Sequence, residues 1–343
     1  MSDVIIRKEG RVGRIILNRP KALHALTRDM CAAIINAIVG WEKDNETVLA
    51  LIDHGEGRGF CAGGDIRWLA GKIKTDRAAV RGFFFTEYRM NHLVFTSPLP
   101  VVSFLDGIVM GGGAGLALPC RYRVGTQNTR FAMPEAGIGL FPDVGGGWYL
   151  SRLRSRIGQW LALTGAKLDG AECRALGLVT HYIEGASLPA LKARLIAQPD
   201  EVSNILDAFQ SNLPAANFAE HEAQIARCFA TATLGEIIAE LELDGSAWAL
   251  AQTNEIKKKS PRCCAVALRQ LEAGAKLTDF TDVMRMEYRI ASRIIFEPDF
   301  AEGVRAFMLD KDNAPVWTSI KMDDDLFADL PRLEEWSPLE RTS

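Results

Sequence analysis

The chain has 343 residues, of which 48% are hydrophobic and 24% are charged. This balance is typical of a folded globular protein, excludes disordered and collagen-like chains, and gives enough length to bury a large core without disulfide or metal staples. The 40 basic and 43 acidic residues give a formal net charge of −3, which argues against a nucleic-acid partner because such proteins usually carry a basic excess.

Short runs of branched apolar residues predict β-strands at Val12–Leu17, 48–52, Val101–Leu105 and 121–124. Apolar residues at helical spacing predict a helix over 27–41, and strands that alternate with helices indicate an α/β fold built of βα units. From about residue 188 onward the apolar spacing is helical. We therefore predict an α/β core over residues 1–195 and a helical region over residues 196–343.

Location and metal binding are predicted from what the sequence lacks. The seven cysteines include no CxxC pair, so no zinc site is predicted and reduced cytosolic thiols are favoured. The first ten residues do not resemble a targeting segment. The most apolar stretch, residues 101–118, is interrupted by Asp106 and several glycines, which is unlike a membrane span. We therefore predict a cytoplasmic protein with no metal and no membrane partner.

Two glycine-rich loops, residues 59–65 and 107–115, follow two of the predicted strands. Glycine lets the backbone approach a ligand closely, and the first N–H groups of a helix lack intrahelical partners. Two such loops from neighbouring strands can direct two N–H groups at one oxygen, which is an oxyanion hole. For either loop alone, a tight turn is the better explanation of its glycines. For the two loops together, a tight turn and an oxyanion hole explain the glycines about equally well.

Three carboxylates lie near these loops in the sequence. Glu135 and Asp143 are eight residues apart among apolar and glycine neighbours, which can raise the pKa of a carboxyl group and suit it to acid–base chemistry. The spacing alone favours a surface Glu and a helix-capping Asp. Glu87 follows three phenylalanines on a predicted helix, and its pattern favours the solvated side.

The order of these motifs resembles the crotonase (enoyl-CoA hydratase/isomerase) superfamily. The matching strings are NRPKALHAL at 18–26, FCAGGD at 60–65, GGGAG at 111–115, MPE at 133–135 and LTG at 163–165. The resemblance implies a crotonase-type spiral of ββα units with an extended α-helical C-terminal region. Within the superfamily, MPEAGIGLFPDVGGG at 133–147 and MEYR at 286–289 are similar to the family that hydrolyses 3-hydroxyisobutyryl-CoA.

The resemblance also implies roles for individual residues. Gly64 and Gly112 would supply the two oxyanion N–H groups, Glu135 would be the catalytic carboxylate with Asp143 as its partner, and Glu87 would contact the acyl end of the substrate. The residues implied around the CoA nucleotide are Ala22, Leu23, Ala25, Ala62 and Asp65. No cofactor is implied, because CoA is part of the substrate. The resemblance implies a homo-oligomer, either a trimer or a pair of trimers, with a dimer or a monomer as the alternatives.

Position 115 decides between the reactions of the superfamily. Its hydratases use a second glutamate three residues beyond the central oxyanion glycine, and here that position is Gly115. Because glycine cannot transfer a proton, hydration of an enoyl thioester is disfavoured and thioester hydrolysis is expected. The resemblance implies that the substrate is 3-hydroxyisobutyryl-CoA, or a related short β-hydroxyacyl-CoA, in valine breakdown. The alternatives are an enoyl-CoA hydratase or isomerase and a non-catalytic acyl-CoA-binding protein.

Overall fold

The computed structural model describes residues 2–318 and 324–340. Its described strands are numbered along the chain: β1 (Val4–Glu9), β2 (Val12–Leu17), β3 (Leu49–His54), β4 (Gly59–Cys61), β5 (Val101–Leu105), β6 (Ile108–Met110), β7 (Tyr122–Gly125), β8 (Arg130–Ala132) and β9 (His181–Tyr182). The main sheet has the order β1-β2-β3-β5-β7-β9. β1 pairs antiparallel with β2, and the other neighbours are parallel.

A second, parallel sheet has the order β4-β6-β8. Each of its strands directly follows a strand of the main sheet along the chain, which gives the repeating ββα unit of the crotonase spiral. The fold class predicted from the sequence is therefore confirmed. The four strands predicted from the sequence are present as β2, β3, β5 and β7, with ends that differ by at most two residues.

Fifteen α-helices are described, numbered along the chain: α1 (Arg28–Lys43), α2 (Ile66–Lys72), α3 (Arg77–Thr96), α4 (Gly112–Ala117), α5 (Gly146–Tyr149), α6 (Ile157–Thr164), α7 (Gly170–Ala175), α8 (Leu188–Ala197), α9 (Val202–Phe209), α10 (Glu222–Cys228), α11 (Leu234–Asp244), α12 (Ala247–Lys257), α13 (Pro261–Lys276), α14 (Phe280–Ile294) and α15 (Pro298–Val304). Helix α1 begins where expected because the Thr27 hydroxyl accepts the Met30 N–H at 3.2 Å. The predicted helical C-terminal region is present.

The C-terminal helices pack against the α/β part of the chain. Helix α14 lies on α3, where the ring of Tyr288 meets those of Phe85 and Tyr88 with centroids 5.6 and 6.2 Å apart. One apolar cluster includes buried residues of both parts. The predicted division at 195/196 falls within α8 and stays a prediction. Among the described residues, no helix is long and apolar enough to span a membrane.

Candidate active site

The two glycine-rich loops meet at the carboxyl ends of β4 and β6, neighbouring strands of the second sheet. β4 leads into Gly63 and Gly64, and the neighbouring strand β6 leads into Gly111 and Gly112, the first residue of α4. A Cβ built on Gly112 would lie only 3.2 Å from the Gly64 nitrogen, so the two backbone amides are adjacent. Neither N–H donates to an acceptor in the described part of the chain. The two N–H groups can therefore donate hydrogen bonds to an oxygen atom of a bound molecule.

Two of these glycines are required by the backbone itself. Gly63 has φ +112° and Gly111 has φ +49°, a region that residues with a Cβ rarely adopt. A Cβ on Gly111 would also lie 3.2 Å from a carboxylate oxygen of Glu135. The loop thus brings backbone amides and an acid side chain to the same place.

A cavity of about 330 Å³ opens beside these amides. Both glycine loops line it, together with side chains from α2, α3, the segment 134–143 and the C-terminal region. These side chains are Ala62, Ile66, Leu69, Phe83, Phe84, Glu87, Met110, Pro134, Glu135, Ile138, Leu140, Asp143, Lys259 and Phe307. Most of them are apolar, so acids that reach the cavity are poorly solvated.

Glu87, Glu135 and Asp143 all line the cavity and are only 2%, 6% and 8% exposed. The spacing-based expectation of a surface Glu135 and a solvated Glu87 is therefore wrong. Burial raises the pKa of all three carboxyl groups, to about 6 for Asp143, and repulsion among them raises the pKa of Glu87 and Glu135 further. Ionisation of Asp143 therefore disfavours ionisation of Glu87 and Glu135.

The three acids differ in their hydrogen bonds. The Tyr88 hydroxyl donates to Oδ2 of Asp143 at 2.7 Å, which orients that carboxylate. Both carboxylate oxygens of Glu135 and Oε1 of Glu87 are buried and have no partner among the described residues. Buried polar atoms are normally paired. Both oxygens of Glu135 and one oxygen of Glu87 are therefore available to a molecule in the cavity.

The residues implied around the CoA nucleotide also come together. Ala62 N–H donates to the Leu23 carbonyl at 3.0 Å, and Asp65 N–H donates to the Leu26 carbonyl at 2.9 Å. Asp65 also accepts from the Arg19 guanidinium at 2.9 Å. The segment that holds Ala22, Leu23 and Ala25 therefore lies against the first glycine loop. The role of these residues at the CoA nucleotide stays a prediction.

Gly115 lies in α4 behind the second loop. A Cβ built there would collide with Cβ of Val144 and lie 3.1 Å from Nδ2 of the buried Asn91. The space into which a side chain at 115 would project is thus occupied. The position lacks the second glutamate of the hydratases, and its surroundings also leave no room for one.

The chain matches the family model described as enoyl-CoA hydratase/isomerase over residues 12–326. The chain belongs to the enoyl-CoA hydratase/isomerase family. Its sequence relatives include a protein of Danio rerio and one of Homo sapiens, both named 3-hydroxyisobutyryl-CoA hydrolase, mitochondrial. They are 41% and 40% identical over 92% of this chain, and the alignments cover 85% and 84% of those proteins.

Two solved structures of the family are similar over nearly the whole chain. A carnitinyl-CoA dehydratase from Mycobacterium thermoresistibile is 35% identical, with a TM-score of 0.92 over 98% of this chain and 99% of that one. An enoyl-CoA hydratase from Rhodobacter sphaeroides is 36% identical, with a TM-score of 0.91 over 98% and 100%. The names of relatives therefore include both hydrolases and enzymes that add or remove water.

The structure adds site residues that the sequence analysis missed. Tyr88 adjoins Glu87 in the sequence and could have been suspected from it. Lys259 and Phe307 line the cavity from the helical region, which sequence reasoning had not connected with the site. Within the described ranges, 2–318 and 324–340, no group of three His, Cys, Asp or Glu side chains is arranged to hold a metal ion.

Proposed function

We propose that the chain hydrolyses the thioester of 3-hydroxyisobutyryl-CoA, or of a related short β-hydroxyacyl-CoA, to the free acid and CoA, as a step of valine breakdown. The names of its 40%-identical relatives support this substrate. The observation that carries the reaction type is the pair of adjacent, unpaired amides of Gly64 and Gly112 beside the unpaired Glu135 carboxyl.

In the proposed reaction, the thioester oxygen lies between the N–H groups of Gly64 and Gly112. These donors stabilise the negative charge that develops as the carbonyl carbon becomes tetrahedral. Ionised Glu135 either attacks that carbon, so that an anhydride forms and CoA leaves, or removes a proton from the water that attacks it. In the first route water then cleaves the anhydride, which releases the free acid and restores Glu135. In both routes the C–S bond breaks and the leaving sulfur takes a proton.

The buried acid cluster can supply both proton-transfer partners. Asp143, whose pKa is about 6, ionises before Glu135 and Glu87, whose pKa values its charge raises further. As substrate binds, the ionised Asp143 takes the proton of Glu135, so that Glu135 acts as nucleophile or base. Asp143, which accepts a hydrogen bond from Tyr88, then donates that proton to the leaving thiolate. This chemistry needs no cofactor.

Water addition to an enoyl thioester fits this site less well. That reaction, in the family, needs a second glutamate at position 115, and here Val144 fills the space in front of Gly115. Asp143 or Glu87 would have to replace it. A non-catalytic acyl-CoA binder fits less well again, because such a protein needs neither free amides nor buried acids, which destabilise the fold.

A panel of short 3-hydroxyacyl-, acyl- and enoyl-CoAs tests the proposal, with free thiol and the ultraviolet absorbance of the conjugated enoyl thioester measured in parallel. Thiol release from 3-hydroxyisobutyryl-CoA, faster than from the unsubstituted acyl-CoAs, is expected. Loss of enoyl absorbance without thiol release would support a hydratase. Binding without either change would support a non-catalytic protein. The same preparation, run on a sizing column, determines whether the protein forms a homo-oligomer.

A further inference from the structure

The loop that carries Asp143 has an unfavourable backbone. Val144 has φ +51° and Gly145 has φ +93°. A β-branched residue in the left-handed region is strained, and such strain persists only where the surroundings impose it. Val144 is also buried. Something outside residues 142–147 must therefore hold this loop in place.

Two side chains of the C-terminal helices hold it. Glu287 of α14 is fully buried, and its two oxygens accept the N–H groups of Gly145 and Gly147, each at 2.7 Å. Gln270 of α13 donates from Nε2 to the Pro142 carbonyl at 2.7 Å and to Glu287 at 2.8 Å. These bonds fix the backbone on both sides of Asp143.

We propose that Glu287, together with Gln270, is a positioning residue that aims the Asp143 carboxyl into the cavity by holding residues 142–147. The inference rests on the proposed function and deepens it. Glu287 does not line the cavity, so it acts through Asp143 and Val144. Both carboxyl oxygens of Glu287 accept hydrogen bonds from the loop, so one side chain holds the strained backbone at two amides.

The contacts explain why an amide would not replace the carboxylate. Oε1 of Glu287 accepts from Gly147 and Gln270, and Oε2 accepts from Gly145, so both oxygens are used as acceptors. In Glu287→Gln, one of these atoms becomes an NH₂ group that faces another donor. At least one loop amide is then left unpaired, and the loop is released on one side of Asp143.

Glu172 offers a matched control. It is also buried, although in the short helix α7, and also accepts two backbone N–H groups, from Asp169 at 2.8 Å and from Phe218 at 3.2 Å. Those bonds lie away from residues 142–147 and from the residues that line the cavity. Glu172→Gln therefore reproduces the loss of a buried carboxylate without disturbing Asp143.

The test compares the full-length protein with Glu287→Gln, Glu172→Gln, Asp143→Asn and the double variant of positions 143 and 287. Glu287→Gln is expected to lower kcat for thiol release by about a hundredfold, as a misplacement of roughly 1 Å does, with little change in KM. Within the Asp143→Asn background it should lower kcat little further, because residues that act as a unit are not additive. Glu172→Gln should lower the melting temperature but keep kcat.

Hydrogen exchange of the amides of Gly145 and Gly147 gives a readout that does not depend on activity. Their exchange should accelerate in Glu287→Gln relative to Glu172→Gln. Unchanged exchange, or an equal fall in kcat with and without Asp143, would overturn the positioning role. If Glu287→Gln does not fold, Gln270→Met makes the same comparison. A wild type that releases no thiol refutes the proposed function, whereas the exchange data still decide the positioning role.

Discussion

Asp143→Asn is expected to make the fold more stable at neutral pH while it impairs thiol release. Burial raises the pKa of Asp143 from 3.8 to about 6 in the folded chain. Between these values the folded state holds a proton that the unfolded chain has released, so stability falls as pH rises through this window. Asparagine is neutral at every pH and avoids this loss. Its carbonyl can still accept the Tyr88 hydroxyl.

The pKa difference gives the size of the effect. At about 1.36 kcal/mol for each pH unit, the ionised Asp143 destabilises the fold above pH 6 by about 3 kcal/mol. An unfolding entropy of about 2.1 cal/mol/K per residue, applied to all 343 residues, converts this energy into a rise in melting temperature of about 4 °C. Below the ordinary pKa of aspartate, the variant and the wild type should melt together.

Thermal denaturation followed by circular dichroism, from pH 3.5 to pH 8, measures this difference. Asp244→Asn is a control of opposite sign, because hydrogen bonds from Ser246 and Arg227 lower the pKa of Asp244 to about 2. Removing that carboxylate should destabilise the protein at neutral pH. An Asp143→Asn protein that melts below the wild type at pH 8, or that is stabilised equally at pH 3.5 and pH 8, would refute the reasoning.

Three further changes probe the cavity. Glu135→Gln keeps the shape of the side chain but removes the base or nucleophile, so thiol release should fall by about a hundredfold or more. The melting temperature should be kept or raised. Near-normal turnover would contradict the proposed role of Glu135. Gly112→Ala drives a methyl group against Glu87, so kcat should fall by about a hundredfold through displaced oxyanion donors, as steady-state kinetics can show. Gly115→Glu should lower the free energy of unfolding, measured by urea denaturation, by about 1–3 kcal/mol or more, because the new side chain collides with Val144. It should not create enoyl-CoA hydratase activity. Hydratase activity in a stable variant would contradict this packing argument.

Four strands of the main sheet, β2, β3, β5 and β7, could be predicted from the sequence because they are runs rich in branched apolar residues, whereas β1 and the two-residue β9 were not predicted. The second sheet could not be predicted, since β4 and β6 are three residues long and lie within the glycine motifs, where local propensity indicates a turn. Glu87 was predictable in part. It follows Phe83 by four residues, which places both on one face of α3, and that face is buried. The prediction of a solvated Glu87 fails because it follows the charge of the side chain, whereas the position of Glu87 on the helix points to the buried face.

The hydrogen bonds by which Glu287 and Gln270 hold residues 142–147 could not be predicted from local sequence patterns. Glu287 is 142 residues from Gly145 in the sequence, and Gln270 is 128 residues from Pro142. The string MEYR at 286–289 contributes to the family resemblance, but no spacing rule connects Glu287 with the glycines at 145–147. Such contacts follow from how α13 and α14 pack on the core.

The instability and the chemistry of the site have the same physical origin. Glu87, Glu135 and Asp143 repel one another in an apolar cavity, which makes the folded state resist full ionisation of the group. A cation bonded to each acid would remove that cost, but it would also leave all three ionised, with no protonated acid to assist the leaving thiolate. A site that must hold a base and an acid together near neutral pH therefore has to keep its carboxyl groups unpaired. Variants that relieve the repulsion should gain stability as they lose turnover.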